Sequence, residues 1–440
     1  MRITNRIASF FLAFAMTFIT FVRFAPPVFA IDEPAIEREK IKAAYVSCLE
    51  TGEELYTFHP EDELFTTSST KLMTAIIAIE ELSSRLDEKV TVTSQMLSEV
   101  AGNRFGLKAG EVIPIRDLIY ILVTGGNNDG AYCLAYLAAG SVPAFVEKMN
   151  VKAQTLGAHN TVYTNPTGMH DEMMKTTVTD TAKIAKYAWS LPLFVDASSA
   201  QKHPMEATNM SDARNVYNRN CFISKYYSAD YFNSSCAGLN AGSTTQGGFC
   251  VITVAKNEDL SYLVIVMGGE STDERNYSYA NAQVLIDWAF ESFAMIDVLT
   301  ESRVVCEIPV SLSTSVDFVT VAPEKTVAVF LPTDVNVDKE IEYSWSTTEE
   351  TLKAPLKAGQ VVGQISATYK KGDDAEAKIL ASCNLVVTSD VEKNDFLSVL
   401  DRIQNFTKSR GFIAAVIFAL VLSVGVVLFN ARRKKTRGPY

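Results

Sequence analysis

Two kinds of hydrophobic pattern divide the chain. In residues 31–295, segments with helical spacing of apolar positions lie between short apolar runs that are typical of strands. The predicted elements are two strands in residues 43–56, a helix after Ser68, a helix from residue 116, a strand–turn–strand unit in 236–256, a strand in 260–269 and a helix in 279–293. Strands at both ends with helices between them predict an α+β domain with an antiparallel sheet.

Helical spacing disappears in residues 296–389. Short alternating runs, such as residues 361–369 (VVGQISATY), are divided there by proline, glycine and charged residues. This pattern predicts a second domain, a small β-sandwich. The segment that follows, residues 390–410, is polar and partly helical in pattern, and we expect it to form a stalk.

Both ends of the chain are apolar. Residues 1–30 combine a basic start, an apolar run and a final Val-Phe-Ala, which predicts a cleaved secretory signal; a retained membrane anchor is the alternative. Residues 411–430 carry no charge, and a helix of that length nearly spans the ~30 Å hydrocarbon core of a membrane. Five basic residues follow in the tail, residues 431–440. The positive-inside rule therefore predicts a single-pass protein of the cell membrane whose C-terminus is cytoplasmic and whose main domain lies outside.

Composition excludes some functions. The formal net charge of the 440 residues is −11, which argues against a nucleic-acid partner. The four histidines are scattered and the seven cysteines form no CxxC pair, so we expect no metal and no other cofactor. Cys306 could form a disulfide with Cys383, and Cys236 with Cys250; buried free thiols are the alternative.

Residues 66–80 contain the first candidate catalytic residues. Ser68 and Lys71 are three positions apart at the start of an apolar run, so in a helix they share one face. A serine hydroxyl needs a base to become a good nucleophile, and a desolvated lysine can be that base. A second Ser-x-x-Lys, Ser199 to Lys202, has no apolar helix after it and is a weaker candidate.

The chain resembles a known family over roughly residues 33–390. The segment SSTKLMTAIIAIE resembles the nucleophile segment of serine-type D-alanyl-D-alanine carboxypeptidases, the low-molecular-mass penicillin-binding proteins. The other segments that resemble the family are GLKAGEVIPIRDLIYILVTGGNNDGAYCLAYLAAGS (106–141), TNPTGMHDE (164–172), CAGLNAGSTTQGGFCVITVAK (236–256) and LKAPLKAGQVVG (352–363). The resemblance implies a penicillin-binding, β-lactamase-like transpeptidase fold followed by a β-rich domain.

The resemblance also implies a reaction and a site. The family removes the terminal D-alanine of peptidoglycan stem peptides through an acyl-serine, and β-lactams acylate the same serine. The residues that match its catalytic positions are Ser68 as nucleophile, Lys71 as base and Asn128. Those that match its substrate-binding positions are Asn240, Gly242 and Ser243, and the backbone N–H groups of Ser68 and Ser243 would form the oxyanion hole.

Two family motifs are altered. The SxN motif is matched by Gly126-Asn127-Asn128, and the KTG motif by Asn240-Ala241-Gly242, so a hydroxyl and a cation are missing. Arg275 could replace that cation, although an exposed structural arginine is the other interpretation. Two functions therefore remain open: a carboxypeptidase with weak or altered activity, and an impaired relative that binds peptidoglycan or acts as a scaffold.

Overall fold

The structure is a computed structural model that describes residues 31–370 and 378–435. The predicted signal segment, residues 1–30, lies outside the described residues, as does the end of the basic tail. The chain divides into two compact units, Ile31–Ala294 and a unit that begins at Met295. The first unit mixes helices with a sheet and the second is rich in strands, so the predicted fold class is confirmed.

An antiparallel sheet forms the centre of the first unit. Its strands, with the short strands of this unit, are β1 (Ala43–Cys48), β2 (Glu54–Phe58), β3 (Lys89–Thr91), β4 (Val112–Pro114), β5 (Lys202–Met205), β6 (Arg214–Tyr217), β7 (Cys236–Thr244), β8 (Gly248–Lys256) and β9 (Ser261–Gly269). The five-stranded sheet has the order β2-β1-β9-β8-β7, which leaves β7 at one edge. Every residue of β1 is buried, so both faces of the sheet are covered.

Seven helices of this unit pack on the sheet or on one another. They are α1 (Thr70–Leu82), α2 (Ile115–Val123), α3 (Asn128–Ala139), α4 (Val142–Thr155), α5 (Val178–Trp189), α6 (Pro192–Ser199) and α7 (Tyr277–Ser292). Helix α7 packs on β8 and β9, whereas α1 packs against α2, α3, α4 and α5.

Helix α1 is the core helix of the unit. Only Glu80 and Glu81 near its end are exposed, and Leu72, Met73 and Ile76 are at most 1% exposed. A helix that is apolar on all sides is stable only when it is surrounded by other elements. The burial of α1 therefore holds the turn at its start, Thr67–Ser69, against the edge strand β7.

The second unit contains a six-stranded sheet and a two-stranded sheet. Its elements are β10 (Phe293–Leu299), β11 (Cys306–Ser311), β12 (Phe318–Pro323), β13 (Val327–Pro332), α8 (Val337–Glu340), β14 (Ile341–Thr347), β15 (Leu352–Lys353), β16 (Val361–Tyr369), β17 (Lys378–Val387), α9 (Asp395–Lys408) and α10 (Arg410–Lys435). The large sheet has the order β14-β16-β17-β12-β11-β15, and β10 pairs with β13. In the described residues one helix, over Arg410–Asn430, is long and apolar enough to cross a membrane.

All seven cysteines are free thiols, so neither suggested disulfide forms. Cys306 and Cys383 lie on β11 and β17, which β12 separates, and two strand spacings exceed the reach of a disulfide. Cys236 lies opposite Ala255 while Cys250 lies opposite Gly242, so these two thiols are far apart along their hairpin.

Candidate active site

Ser68 lies in a short 3-10 turn, Thr67–Ser69, immediately before α1. The residue before it, Thr67, has a φ of +47°, a left-handed conformation that is rare and costly for a β-branched residue. Such strain is concentrated at functional sites, at a cost of about 1–3 kcal/mol per residue. Ser68 is only 8% exposed, and its Oγ has no hydrogen-bond partner within the described residues.

Lys71 lies one helical turn further along α1 and is 9% exposed. Its Nζ donates a hydrogen bond to the carbonyl oxygen of Thr167 at 2.6 Å. Because Ser68 Oγ has no hydrogen-bond partner among the described residues, the amine is not bonded to it in this structure. Burial, and to a smaller extent the positive charge of Arg219, lowers the pKa of the Lys71 amine from 10.5 to about 8. Lys71 is therefore a much better base near neutral pH than an exposed lysine.

Ser68 and Lys71 open into one cavity of about 170 Å³. Its lining consists of Ser68, Lys71, Gly102, Asn103, Gly126, Asn128, Thr167, Gly168, Met169, Arg219, Ala241, Gly242, Ser243 and Thr244. The fold thus brings together five of the six residues that the sequence indicates. Asn240 is the exception, because β7 contributes Ala241 to Thr244 to the cavity wall.

Asn128 begins α3, and hydrogen bonds hold both its backbone and its side chain. Its backbone N–H donates to the carbonyl of Asn103 at 2.7 Å, and its Nδ2 donates to the carbonyl of Ala101 at 2.6 Å. Its Oδ1 is buried without a partner among the described residues. This oxygen is available to accept a hydrogen bond from a substrate amide or from Lys71.

Gly126, two residues earlier, has a φ of +61°. This left-handed conformation favours glycine, and a serine there would be strained. The backbone at this position therefore suits the glycine that replaces the serine of the second motif. A Gly126→Ser exchange would add the hydroxyl but would also strain the backbone.

Gly242 brings β7 against Ser68. A Cβ at this position would lie 2.9 Å from Ser68 Cβ and 3.2 Å from Ser68 Oγ, which is too close for a relaxed contact. Asn240 lies on the same face of β7, since side chains alternate along a strand. It is 7% exposed and its Oδ1 is buried without a partner in the described region.

Arg219 lines the cavity and was missed by the sequence analysis. It lies after β6 in a polar stretch with no recognisable motif, and only the flanking asparagines of Asn218-Arg219-Asn220 could have marked it. Arg275, the cation that the sequence suggested, is 2.9 Å from Glu37 in an exposed ion pair and does not line the cavity. The interpretation of Arg275 as an exposed structural arginine is therefore the correct one.

The second Ser-x-x-Lys does not form a comparable pair. Ser199 is the last residue of α6, whereas Lys202 begins β5, so the two do not share a helical face. Neither residue lines the cavity. The apolar helix after Ser68 was therefore the informative part of the motif.

The lowered pKa of Lys71 predicts how stability depends on pH. Between pH 8 and 10.5 the unfolded chain binds the lysine proton more tightly than the folded chain, so the free energy of unfolding rises with pH in this window. At 1.36 kcal/mol per pKa unit, the full contribution is on the order of 3 kcal/mol. Lys71→Met removes this group at similar volume. Urea unfolding of both proteins at several pH values should show a stability difference that changes across this window; parallel curves would contradict the lowered pKa.

The chain is similar to known proteins over most of its length. A family described as D-alanyl-D-alanine carboxypeptidase matches residues 32–271, and one described as penicillin-binding protein 5, C-terminal domain, matches residues 293–393. D-alanyl-D-alanine carboxypeptidase DacF of Bacillus subtilis is 25% identical over 393 residues, which are 87% of this chain and 95% of DacF. D-alanyl-D-alanine endopeptidase of Escherichia coli is 26% identical over 62% of this chain and 86% of its own.

Solved structures share the fold. Penicillin-binding protein 5 of Haemophilus influenzae matches 82% of this chain and all of its own with a TM-score of 0.57 and 22% identity. A mutant of the Streptomyces K15 DD-transpeptidase matches 59% of this chain and 99% of its own with a TM-score of 0.52 and 25% identity.

Proposed function

The chain belongs to the D-alanyl-D-alanine carboxypeptidase family, and from this premise we propose that it removes the terminal D-alanine of peptidoglycan stem peptides with Ser68 as nucleophile. One observation carries the proposal: a buried serine hydroxyl without a hydrogen-bond partner among the described residues opens into the same cavity as a desolvated amine. A nucleophile needs this combination of a free hydroxyl and a nearby base.

Lys71 is the base in this proposal. A neutral amine has two N–H groups and one lone pair, so it can donate to the Thr167 carbonyl and still accept the hydroxyl proton of Ser68. The Oγ–H must turn towards Nζ for this step, and such hydrogen bonds commonly tighten only when substrate is bound. Ser68 Oγ then bonds to the carbonyl carbon of the penultimate D-alanine.

The developing oxyanion needs donors. Ser68 and Ser243 both line the cavity, and we assign their backbone N–H groups to this role. When the tetrahedral species collapses, the bond to the nitrogen of the last D-alanine breaks. This nitrogen accepts from Lys71 the proton that Lys71 took from Ser68. Because Gly126 has no side chain to relay this proton, Lys71 has to deliver it directly. Water then hydrolyses the acyl-serine.

A role in binding alone is the less favoured function. A buried amine lowers stability, and a groove that only holds a peptide does not need one. The altered positions also leave the reacting pair in the cavity: Ser68 and Lys71 line it together with Gly126, and Asn240 does not line it. We expect β-lactams to acylate Ser68 for the same reason that a stem peptide does.

The proposal places the reaction at the outer face of the cell membrane. Helix α10 supplies an apolar span of 21 residues, and basic residues follow it. A single-pass anchor with a cytoplasmic basic end would keep Ile31–Ala294 on the side where peptidoglycan lies. An N-terminal signal over residues 1–30 belongs to the same proposal.

The test is D-alanine release by the purified full-length protein in detergent. The substrate is an acetylated peptide that ends in D-Ala-D-Ala, and the control peptide ends in D-Ala-L-Ala. We expect release from the first peptide only, with a rate that rises with pH and levels above about pH 8, because only about a tenth of Lys71 is neutral at pH 7. Binding of the peptide without release of D-alanine at any pH would favour the binding role instead.

A further inference from the structure

Asp129 is a buried carboxylate that the reaction above leaves without a role. It lies in the first turn of α3 and is 2% exposed. Its Oδ2 accepts hydrogen bonds from the backbone N–H groups of Gly106 at 2.8 Å and Leu107 at 3.1 Å. Its Oδ1 accepts from those of Phe105 at 3.0 Å and Gly130 at 3.1 Å. Hydrogen bonds to an ionised acceptor are roughly twice as strong as neutral ones, so Asp129 fastens to α3 a loop that lies 22 to 24 residues earlier in the chain.

The same loop, residues 101–107, holds Asn128. The carbonyl of Ala101 accepts a hydrogen bond from Asn128 Nδ2 at 2.6 Å, and the carbonyl of Asn103 accepts one from its backbone N–H at 2.7 Å. Because Nδ2 is bonded to the loop, the side-chain amide has a fixed orientation. Its Oδ1, which is buried without a partner among the described residues, is the end that remains for the cavity. The direction of this oxygen therefore depends on the position of the loop.

The loop is also part of the cavity wall, to which it contributes Gly102 and Asn103. Gly102 has a φ of +73°, and a Cβ there would lie 3.1 Å from Asn128 Nδ2 and 3.0 Å from Met169 Sδ. Asn103 Nδ2 donates to the carbonyl of Gly126 at 3.1 Å. These contacts are close, so a displacement of the loop would move the wall and the amide of Asn128 together.

We propose that Asp129 is a positioning residue for the reaction: by holding residues 101–107 against α3, it keeps Asn128 Oδ1 directed towards the substrate amide. This inference rests on the proposed function, which supplies the substrate. Asp129→Asn keeps the side-chain volume but turns one acceptor oxygen into an NH2 donor, which would face backbone N–H groups. The loop would then lose part of its attachment, and Asn128 would lose its fixed orientation.

The test is a double-mutant cycle, which measures whether one residue acts through another. The full-length protein in detergent, Asn128→Ala, Asp129→Asn and the double variant are compared. The first readout is kcat/KM for D-alanine release from an acetylated peptide that ends in D-Ala-D-Ala. The second is equilibrium binding of the same peptide in a Ser68→Ala background, where no turnover is needed. If Asp129→Asn does not fold, Asp129→Ser, which keeps one acceptor oxygen, takes its place in the cycle.

Asp180 supplies a matched control. It lies in the first turn of α5, is 1% exposed and does not line the cavity. Its carboxylate accepts hydrogen bonds from the backbone N–H of Asn160 at 2.7 Å and the hydroxyl of Thr161 at 3.0 Å. Asp180→Asn therefore perturbs a similar buried carboxylate away from the reacting atoms. We expect it to lower the urea midpoint of unfolding and to leave kcat/KM unchanged.

We expect Asn128→Ala and Asp129→Asn each to lower kcat/KM about 10- to 100-fold, because a displacement of about 1 Å near the reacting atoms has an effect of this size. The double variant should lie less than about threefold below Asn128→Ala, since the two residues act as one unit. The dissociation constants in the Ser68→Ala background should show the same lack of additivity.

Three outcomes overturn the inference: an unchanged kcat/KM in the variant of Asp129, losses that multiply in the double variant, or an equal loss of kcat/KM in Asp180→Asn. The proposed function fails separately. If the intact protein releases no D-alanine but peptide binding in the Ser68→Ala background shows the non-additive pattern, the positioning role of Asp129 stands and the carboxypeptidase assignment falls.

Discussion

Ser68→Ala is expected to abolish the covalent adduct with a fluorescent penicillin and to reduce D-alanine release to the background rate. The reason is chemical: without Oγ no acyl intermediate can form, and Lys71 has no hydroxyl to deprotonate. Loss of a nucleophile in a serine hydrolase lowers kcat by roughly 10⁶. The adduct is measured by intact mass and by gel fluorescence.

The chain supplies a matched control for this variant. Ser199→Ala changes the serine of the other Ser-x-x-Lys, which lies at the end of α6 and outside the cavity lining. We expect it to be acylated as fast as the parent protein. An adduct that persists in Ser68→Ala, or disappears in Ser199→Ala, would mean that a different residue is the nucleophile.

Gly242→Ala is expected to slow acylation by penicillin and release of D-alanine by about 100-fold or more. The new Cβ would be 2.9 Å from Ser68 Cβ and 3.2 Å from its Oγ, so either β7 or the nucleophile has to move. A displacement of about 1 Å at the reacting atoms can cost 10²-fold in rate. The rates are measured by stopped-flow acylation and by D-alanine release.

Gly52→Ala is the control for effects of glycine replacement on the fold. Gly52 has a φ of +75° in the turn between β1 and β2, and a Cβ there meets no atom within 4 Å. This variant should lose about 1 kcal/mol of stability and keep its acylation rate. A Gly242→Ala protein with unchanged acylation would show that the close approach of β7 does not position Ser68.

Local patterns predicted the elements that carry Ser68 and Lys71. The apolar run after Ser68 is stable only as a buried helix. The length of this helix and the spacing of its apolar positions can be read from the sequence. The position of Lys71 on the same helical face follows from the i, i+3 relation alone. The strands of the second unit could also be predicted locally, because each strand shows alternating apolar and polar residues in the sequence.

Long-range contacts account for what was missed. Arg219 reaches the cavity because Asn218 bonds to Ser198 of α6 and Asn220 bonds to Gly238 of β7, 20 and 18 residues away in the chain. The N–H of Arg219 also donates to the carbonyl of Thr124. The sequence offered Arg275 as a replacement for the missing cation, with an exposed structural arginine as the other interpretation, and its guanidinium pairs with Glu37. Packing between distant segments decides which of the two arginines faces the cavity. The spacing of residues within a short motif carries no information about such packing.

The chain by itself predicted the fold class, the pairing of Ser68 with Lys71, the altered motifs and the apolar C-terminal span, since each depends on residues within one element or one short motif. Tertiary structure decided the rest. It lowers the pKa of Lys71 by enclosing the amine, keeps every cysteine unpaired through strand order and register, excludes Asn240 from the cavity and turns Arg219 towards it. The burial of a side chain and the distance between remote segments are set only when the chain folds, so local sequence patterns do not reveal them.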